Sequence, residues 1–234
     1  MSRAALALLL ALAAPACSPF GGTEGALGNG EFFYQCVGDG DAACLDEHEH
    51  GVEIEVTSAD GSKMPRSVAV GAPFNVIFQA NDDTLDQVEP ASSELVESSN
   101  EGLSFTRPAT VSIVASSVGG FADFIDVTGE EVAELRLFQH GAEVTQAVKL
   151  SVGDTLDVTA IAMGASGNGL AGQLPWAWTS DDESVAGVGP RGFDSTNPGS
   201  LGPQVTVTAE AKGATTISIS VNGKTQKLPV TVSD

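Results

Sequence analysis

The densest group of potential metal ligands lies at residues 46–50, where the sequence reads Asp-Glu-His-Glu-His. In an extended chain alternate side chains point to the same side, so His48 and His50 could share a zinc ion with the carboxylate of Glu47. The histidines do not have the spacing of the zinc-protease motif H-E-x-x-H. We favour a solvated acidic segment over a zinc site, and we expect no cofactor.

Two other ligand-binding patterns are matched only incompletely. Residues 81–86 (N-D-D-T-L-D) offer oxygen ligands for calcium but lack the spacing of an EF-hand loop. Calcium binding at this segment is therefore a second metal hypothesis that we do not favour. Residues 167–172 spell the dinucleotide-binding pattern G-x-G-x-x-G. That pattern must open a helix, whereas here P-W-A-W follows as the next strand. We therefore interpret residues 167–172 as a loop between strands.

The chain contains three cysteines, Cys17, Cys36 and Cys44. Cys36 and Cys44 enclose a short polar loop, and in an oxidising compartment a disulfide between them would hold that loop in place. The alternative is that the two cysteines bind a metal together with the histidines that follow. We favour the disulfide.

No set of residues has the pattern of a catalytic site. The nucleophile motif G-x-S-x-G is missing from the sequence, and His140 precedes Gly141 in a predicted turn. We therefore do not expect an enzyme. The segment 190–203 is longer than a loop between strands requires, and long loops on a rigid scaffold often carry binding residues. Arg191 and Phe193 would form its contact pair, and a tolerated insertion is the equally open alternative.

The first 16 residues have the pattern of an export signal. Arg3 precedes an apolar stretch over residues 4–14, which is too short to span a membrane and is followed by Pro15, Ala16 and Cys17. A cysteine after this cleavage site resembles the lipobox of bacterial lipoproteins, although Ala14 stands where those proteins usually have Leu. Lipidation of Cys17 would also explain the odd number of cysteines. Without lipidation the protein would be secreted.

The elements that position these residues are predicted to be strands. Alternation of apolar and polar residues, with the period of two of a half-buried strand, recurs at residues 52–57, 74–78, 110–114, 156–160, 205–208 and 216–221. Asn222 and Gly223 form the signature of a two-residue type I′ hairpin. Trp176 and Trp178 are expected in the core, with sugar stacking as the alternative. The fold class is all-β, of the sandwich type.

A comparison of the sequence with itself finds one plan used twice. Residues 67–76 align with 149–158, and residues 109–113 align with 214–218, in the same order. We therefore divide the chain into a signal peptide (1–16), a flexible tether with the Cys36/Cys44 loop (17–50), and two tandem immunoglobulin-like β-sandwiches (51–130 and 131–234).

The second copy resembles the group 2 bacterial immunoglobulin-like family. It carries VGDT at 152–155, WTSDDESVA at 178–186, GATTI at 213–217 and LPVTV at 228–232, in the order typical of that family. The first copy is a degenerate version without tryptophan. The resemblance implies β-sandwiches of bacterial surface and adhesion proteins, usually spacers or binding modules without catalysis, with Trp178 as the core tryptophan.

A formal charge of −21 excludes binding to the backbone of nucleic acids, which requires clustered Lys and Arg. The expected partners are a membrane, through the lipid on Cys17, and another envelope protein or a glycan. We expect a non-catalytic structural, adhesive or protein-interaction module, lipid-anchored in the bacterial envelope, at the outer membrane or cell surface. The alternative is a surface lipoprotein that binds a divalent metal or a glycan.

Overall fold

The computed structural model of the chain describes residues 22–35, 38, 40–45, 63–81, 85–117, 120–191 and 201–234. Regular structure in this part consists of strands and one short 3-10 helix, η1 (Ala42–Cys44), which confirms the predicted all-β class. Within these ranges no helix has the length and apolarity needed to cross a bilayer. The strands are β1 (Thr23–Glu24), β2 (Gly30–Gln35), β3 (Ser67–Ala69), β4 (Asn75–Ala80), β5 (Leu85–Pro90), β6 (Val96–Ser99), β7 (Gly102–Phe105), β8 (Ala109–Ser117), β9 (Gly120–Glu130), β10 (Glu134–Gln139), β11 (Ala142–Glu143), β12 (Val148–Ser151), β13 (Thr155–Met163), β14 (Ala177–Ser180), β15 (Ala186–Pro190), β16 (Gln204–Ala209), β17 (Gly213–Val221) and β18 (Lys224–Ser233).

The C-terminal half, from β10 to β18, is a β-sandwich of the immunoglobulin type. One sheet has the order β11-β10-β13-β16-β15 and the other the order β12-β18-β17-β14. Alternation in the sequence places one face of β16, β17 and β18 in the core. In β16, for example, Val205, Val207 and Ala209 are buried between half-exposed polar residues. The strands predicted at 156–160, 205–208 and 216–221 lie in β13, β16 and β17.

The N-terminal half repeats the same strand order. β2 pairs with β4, a bridge between Phe74 and Leu103 connects β4 with the β7–β6 pair, and β3, β9, β8 and β5 form the second layer. Here β4 also pairs with β5, which joins the two layers into one seven-stranded sheet. One cluster of buried apolar side chains runs through both halves. The division into two domains at residue 130, between β9 and β10, stays a prediction.

The prediction of a flexible tether over residues 17–50 is wrong for the described residues 23–35. These residues form β1 and β2, and β2 pairs with β4 in antiparallel register, with Phe32 opposite Phe78. Phe32, Phe33 and Tyr34 are buried, and the rings of Phe32 and Phe78 lie 4.7 Å apart. Phe32 and Tyr34 belong to the buried core cluster, and the surface that they bury fixes this segment in the core.

The first half of the molecule therefore begins before the predicted boundary at residue 51. β2 is the counterpart of β10 in the second half. β2 pairs with β4, just as β10 pairs with β13, and β4 and β13 are equivalent strands of the two halves. Residues 140–147 separate β10 from β12, whereas the much longer segment 36–66 separates β2 from β3. The cysteine pair and the histidine cluster thus belong to an insertion within the first sandwich. The strand predicted at 52–57 lies outside the described residues.

The predicted Asn-Gly hairpin is confirmed. Val221 pairs with Lys224 across the turn, and Asn222 and Gly223 have φ values of 46° and 76°, as a type I′ turn requires. His140 and Gly141, with φ values of 47° and 78°, form an equivalent two-residue turn between β10 and β11. The predicted turn at His140 is confirmed as well.

Gly223→Ala should lower the free energy of unfolding by about 1 kcal/mol, because an alanine at positive φ brings its Cβ close to its own carbonyl oxygen. A Cβ at position 223 would meet no other atom within 4 Å, so the backbone conformation is the whole cause. Gly187→Ala in β15 is the matched control, since it also opens onto free space but lacks the positive φ. Urea denaturation measures the free energy of unfolding of both variants. An equal loss in Gly223→Ala and Gly187→Ala would contradict the role given to the positive φ of the turn.

Candidate functional site

Six of the residues predicted to carry function lie outside the described residues. They are Cys17, Cys36, Glu47, His48, His50 and Phe193. Lipidation, zinc binding and the Arg191–Phe193 contact pair therefore stay predictions. Within the described ranges, no three His, Cys, Asp or Glu side chains come close enough together to hold a metal ion.

Cys44 is the last residue of the η1 helix and is half-buried. Asp41 caps the start of this helix, because its Oδ1 accepts a hydrogen bond of 3.0 Å from the backbone N–H of Ala43. The short helix places Cys44 directly after Ala42 and Ala43, which belong to the buried core cluster. The pairing of Cys44 with Cys36 stays a prediction.

Asp41 itself lies at the centre of a buried polar network that the sequence analysis did not identify. Its Oδ2 accepts a hydrogen bond of 2.5 Å from the Tyr34 hydroxyl, and its Oδ1 accepts one of 3.0 Å from the N–H of Gly172. Burial raises the pKa of the Asp41 carboxyl, although these hydrogen bonds oppose the shift. Burial and the neighbouring Asp41 also raise the pKa of Tyr34 well above its usual value. The network joins the insertion of the first half to the second half.

Gly40, next to Asp41, strengthens the same junction. Its N–H donates to Oε1 of Gln173 at 3.1 Å, and its carbonyl oxygen accepts from the N–H of Leu174 at 3.2 Å. The same carbonyl accepts from the indole Nε1 of Trp176 at 2.7 Å. A carbon at the Cβ position of residue 40 would meet the Gln173 side chain at 2.6 Å, so the close approach needs glycine.

Both tryptophans are buried, which confirms the core prediction for each of them. Trp178 lies on β14 opposite Ile219, and its Nε1 donates to the carbonyl of Gly202 at 3.0 Å. Trp176 lies just before β14 and so does not share a strand face with Trp178. Its side chain contacts Gly40, in the segment 36–66 of the first half. The two side chains are therefore unavailable for stacking on a sugar.

The glycine-rich segment at residues 167–172 is a loop between β13 and β14, as predicted. Its role in the molecule was not predicted. Ala171 lies beside β3 of the first half, where its N–H donates to the carbonyl of Ser67 at 3.0 Å and its carbonyl accepts from the N–H of Ala69 at 2.9 Å. We name residues 164–176 the junction loop, since they carry most of the polar contacts to the first half.

Glu130, the last residue of β9, holds the other end of the junction loop. Its Oε1 accepts hydrogen bonds from the hydroxyls of Ser67, at 2.5 Å, and Ser166, at 2.7 Å. Its Oε2 accepts from the N–H of Ser166 at 3.1 Å. Slight burial acts to raise the pKa of Glu130, but these hydrogen bonds outweigh it, so the pKa is lowered. A carboxylate that is ionised at neutral pH thus connects β3, β9 and the junction loop.

Arg191 begins the long loop that was predicted to bind ligands. Its Nε forms an ion pair of 3.1 Å with Oδ2 of Asp157 on β13, and Oδ1 of Asp157 accepts from the hydroxyl of Thr206 at 2.7 Å. The Arg191 side chain is half-buried. It is therefore held against the outer face of the second sandwich, and its part in a binding surface stays a prediction.

The turn between β1 and β2 is fixed by a buried aspartate of β9. The carboxylate of Asp123 accepts hydrogen bonds from the N–H groups of Leu27, at 2.8 Å, and Asn29, at 2.9 Å. The segment 81–86, considered above as a calcium site, contacts the same turn through Asn81. The side-chain amide of Asn81 donates a hydrogen bond of 2.9 Å to the carbonyl of Gly28. Residues 82–84 lie outside the described residues, so calcium binding stays a prediction.

No protein-family profile matches the chain, and no curated protein matches it. Solved structures do match. The S-layer protein SbsC is 19% identical over 69% of this chain and 23% of its own, with a TM-score of 0.35. The Escherichia coli adhesin FdeC is 18% identical over 73% of this chain and 62% of its own, with a TM-score of 0.33.

The Yersinia pseudotuberculosis adhesin InvE is 16% identical, over 73% of this chain and 57% of its own, with a TM-score of 0.34. The chain thus spans about a quarter of SbsC and less than two thirds of each adhesin. These similarities are too distant to indicate an activity or a partner. The strand order described above independently identifies the fold as all-β and immunoglobulin-like.

Proposed function

We propose that the chain is a lipid-anchored protein of the bacterial cell envelope that acts as a non-catalytic spacer, adhesive or protein-interaction module. In this proposal Cys17 carries the lipid, and residues 131–234 are a domain of the group 2 bacterial immunoglobulin-like type. The outer membrane or the cell surface is the location, and another envelope protein or a glycan is the partner. The lipobox-like segment and the family-like motifs of the second half support these assignments.

The observation that carries the spacer role is the way in which the two halves are joined. Asp41 and Glu130 of the first half both bind the junction loop of the second half through several hydrogen bonds. The buried apolar cluster continues through both halves. Two sandwiches that share a core and a polar junction move as one body, whereas a flexible linker would let them reorient. Such a body can hold a binding surface at a fixed distance from its anchor.

Cys17→Ser should move the protein from the membrane fraction to the soluble fraction of the exported material, because the thiol that accepts the lipid is gone. Fractionation followed by immunoblotting measures the distribution. Intact mass of the membrane-extracted parent protein should show the added lipid on a chain that begins at Cys17. A Cys36→Ser variant is the matched control, since it removes a different cysteine and should stay in the membrane fraction. An unmodified Cys17 in the parent protein would reject the lipid anchor.

A further inference from the structure

One end of the molecule presents exposed apolar side chains although the chain is strongly acidic. It is formed by the turn at residues 25–29 and by the start of β9 at residues 120–122. Leu27 and Phe121 are 54% and 58% exposed there. The sequence has no charged residue in 25–30 or in 110–122, although the whole chain has 31 Asp and Glu. We name residues 25–29 and 120–122 the apolar pole.

The apolar pole lies at the far end of the first half from the junction. β9 begins in the pole at Gly120 and ends at Glu130, which binds Ser166 of the junction loop. The strand has 11 residues, so its ends are about 33 Å apart. β2 likewise leaves the pole at Gly30 and leads toward Asp41 at the junction. The pole is therefore turned away from the second half.

The pole is a rigid surface rather than a loose turn. Asp123 binds the N–H groups of Leu27 and Asn29, and the N–H of Ala26 donates to the carbonyl of Phe124 at 2.9 Å. The rings of Phe121 and Phe124 lie 6.3 Å apart. The carboxylate of Asp123, which follows the pole segment of β9, is thus directed inward, and the side chains of Leu27 and Phe121 are exposed. Two of the three most exposed large apolar side chains of the described residues therefore lie at this pole.

The first described residue, Gly22, lies close to this pole. β1 runs toward the pole, antiparallel to β2, so the chain approaches from the side of the junction and Gly22 lies about 10 Å from the turn at residue 25. Cys17 precedes Gly22 by five positions, and five residues can span at most about 18 Å. A lipid on Cys17 would therefore keep the pole within reach of the bilayer. The carboxylate of Glu24 lies beside Gly28 and borders the pole.

We propose that the apolar pole rests on the lipid bilayer, with Leu27 and Phe121 in the interfacial layer. This inference rests on the proposed lipid anchor. Contact of the two apolar side chains with the bilayer adds to the membrane affinity that the acyl chain provides. Because the pole is rigid, this contact also sets the orientation of the molecule relative to the bilayer. The junction and the second half then project away from the membrane. Acidic faces elsewhere on the first half would be repelled by anionic lipid, which favours the uncharged pole as the contact.

The test uses the mature chain, residues 17–234, coupled through Cys17 to a maleimide phospholipid in phosphatidylcholine vesicles. A fraction of the vesicle lipid carries a nitroxide near the headgroup end of the acyl chain. Phe121→Trp adds an indole at the pole, and Val152→Trp adds one at a site that is 49% exposed in the second half. The native tryptophans are buried, and the parent protein gives their background.

We expect the nitroxide lipid to quench the added emission of Phe121→Trp and to leave that of Val152→Trp unchanged. Adding Leu27→Ser to Phe121→Trp should weaken the quenching. Equal quenching of the two indoles, or none at Phe121→Trp, would overturn the proposal. Sedimentation of the Cys17→Ser form tests whether the pole instead binds a second copy of the chain. A dimer that dissociates when Leu27→Ser and Phe121→Ser are introduced would also overturn the proposal. Because the lipid is attached chemically, this result is independent of whether cells lipidate Cys17.

Discussion

Phe32→Ala should lower the free energy of unfolding by about 3–5 kcal/mol, the usual cost of removing a buried aromatic ring. Phe32 has no exposed surface, and its ring packs against Phe78 across the β2–β4 pair. The substitution leaves a cavity that neighbouring strands cannot close without breaking their register. If the segment before residue 51 were a flexible tether, the same substitution would have no effect on stability.

Urea denaturation followed by far-ultraviolet circular dichroism measures this loss, because the signal reports on strands of both halves. Phe121→Ala is the matched control: it removes the same side chain from the same half, at a site 58% exposed. It should change the free energy of unfolding by less than about 0.5 kcal/mol. If the two variants are equally stable, β2 does not contribute to the core.

Asp41→Ala should lower the free energy of unfolding by about 3 kcal/mol, because it leaves buried donors without an acceptor. These donors are the Tyr34 hydroxyl and the N–H groups of Ala43 and Gly172. Asp41→Asn is the matched variant. Its amide oxygen can still accept from the two N–H groups, and its NH₂ group can donate to the Tyr34 oxygen, so the loss should be smaller than for Asp41→Ala.

The pH dependence separates the two variants further. Burial raises the pKa of Asp41 in the folded state, so the folded protein holds this proton more tightly than the unfolded chain does. The resulting stability is present below the unfolded pKa and is lost as the pH rises through the folded pKa. Asp41→Asn cannot ionise and should not show this loss, so its stability relative to the parent should increase with pH. Denaturation at a series of pH values measures the difference, and parallel curves would contradict the assignment.

The second half could be predicted from its sequence because its signals are local. Alternation over 205–208 and 216–221 indicated β16 and β17, and Asn222-Gly223 specified both the turn type and the pairing of Val221 with Lys224. Trp178 was correctly placed in the core by the family-like motif around it. Each of these signals lies within a few residues of the element that it predicts.

The first half gave weaker signals because β2 lacks alternation and follows a glycine-rich segment. Phe32, Phe33 and Tyr34 are all buried, so no period of two marks β2. Gly25 and Gly28 suggested flexibility, yet both are required by the packed turn. A Cβ at residue 25 would collide with the Asp123 carboxylate, and Gly28 has a φ of 71°. The long insertion then hid the relation of β2 to β10 from the comparison of the two copies.

The site residues could not be assigned from sequence because their partners are distant in the chain. Asp41 binds Gly172, which is 131 positions away, and Asp123 binds Leu27, which is 96 positions away. An aspartate in a polar stretch has the same appearance whether it faces solvent or a buried N–H group. Only the tertiary arrangement distinguishes the two.

The junction loop also bears on how such a protein can arise and be rearranged during evolution. A domain that is exchanged freely among proteins needs a surface that is complete without its neighbour. Here Ala171 and Trp176 bond to the first half, and Gly172 faces Ala72 so closely that no side chain fits between them. The second sandwich transferred alone would expose these groups to water. We therefore expect the two halves to be retained together, with substitutions at the junction occurring on both sides of it.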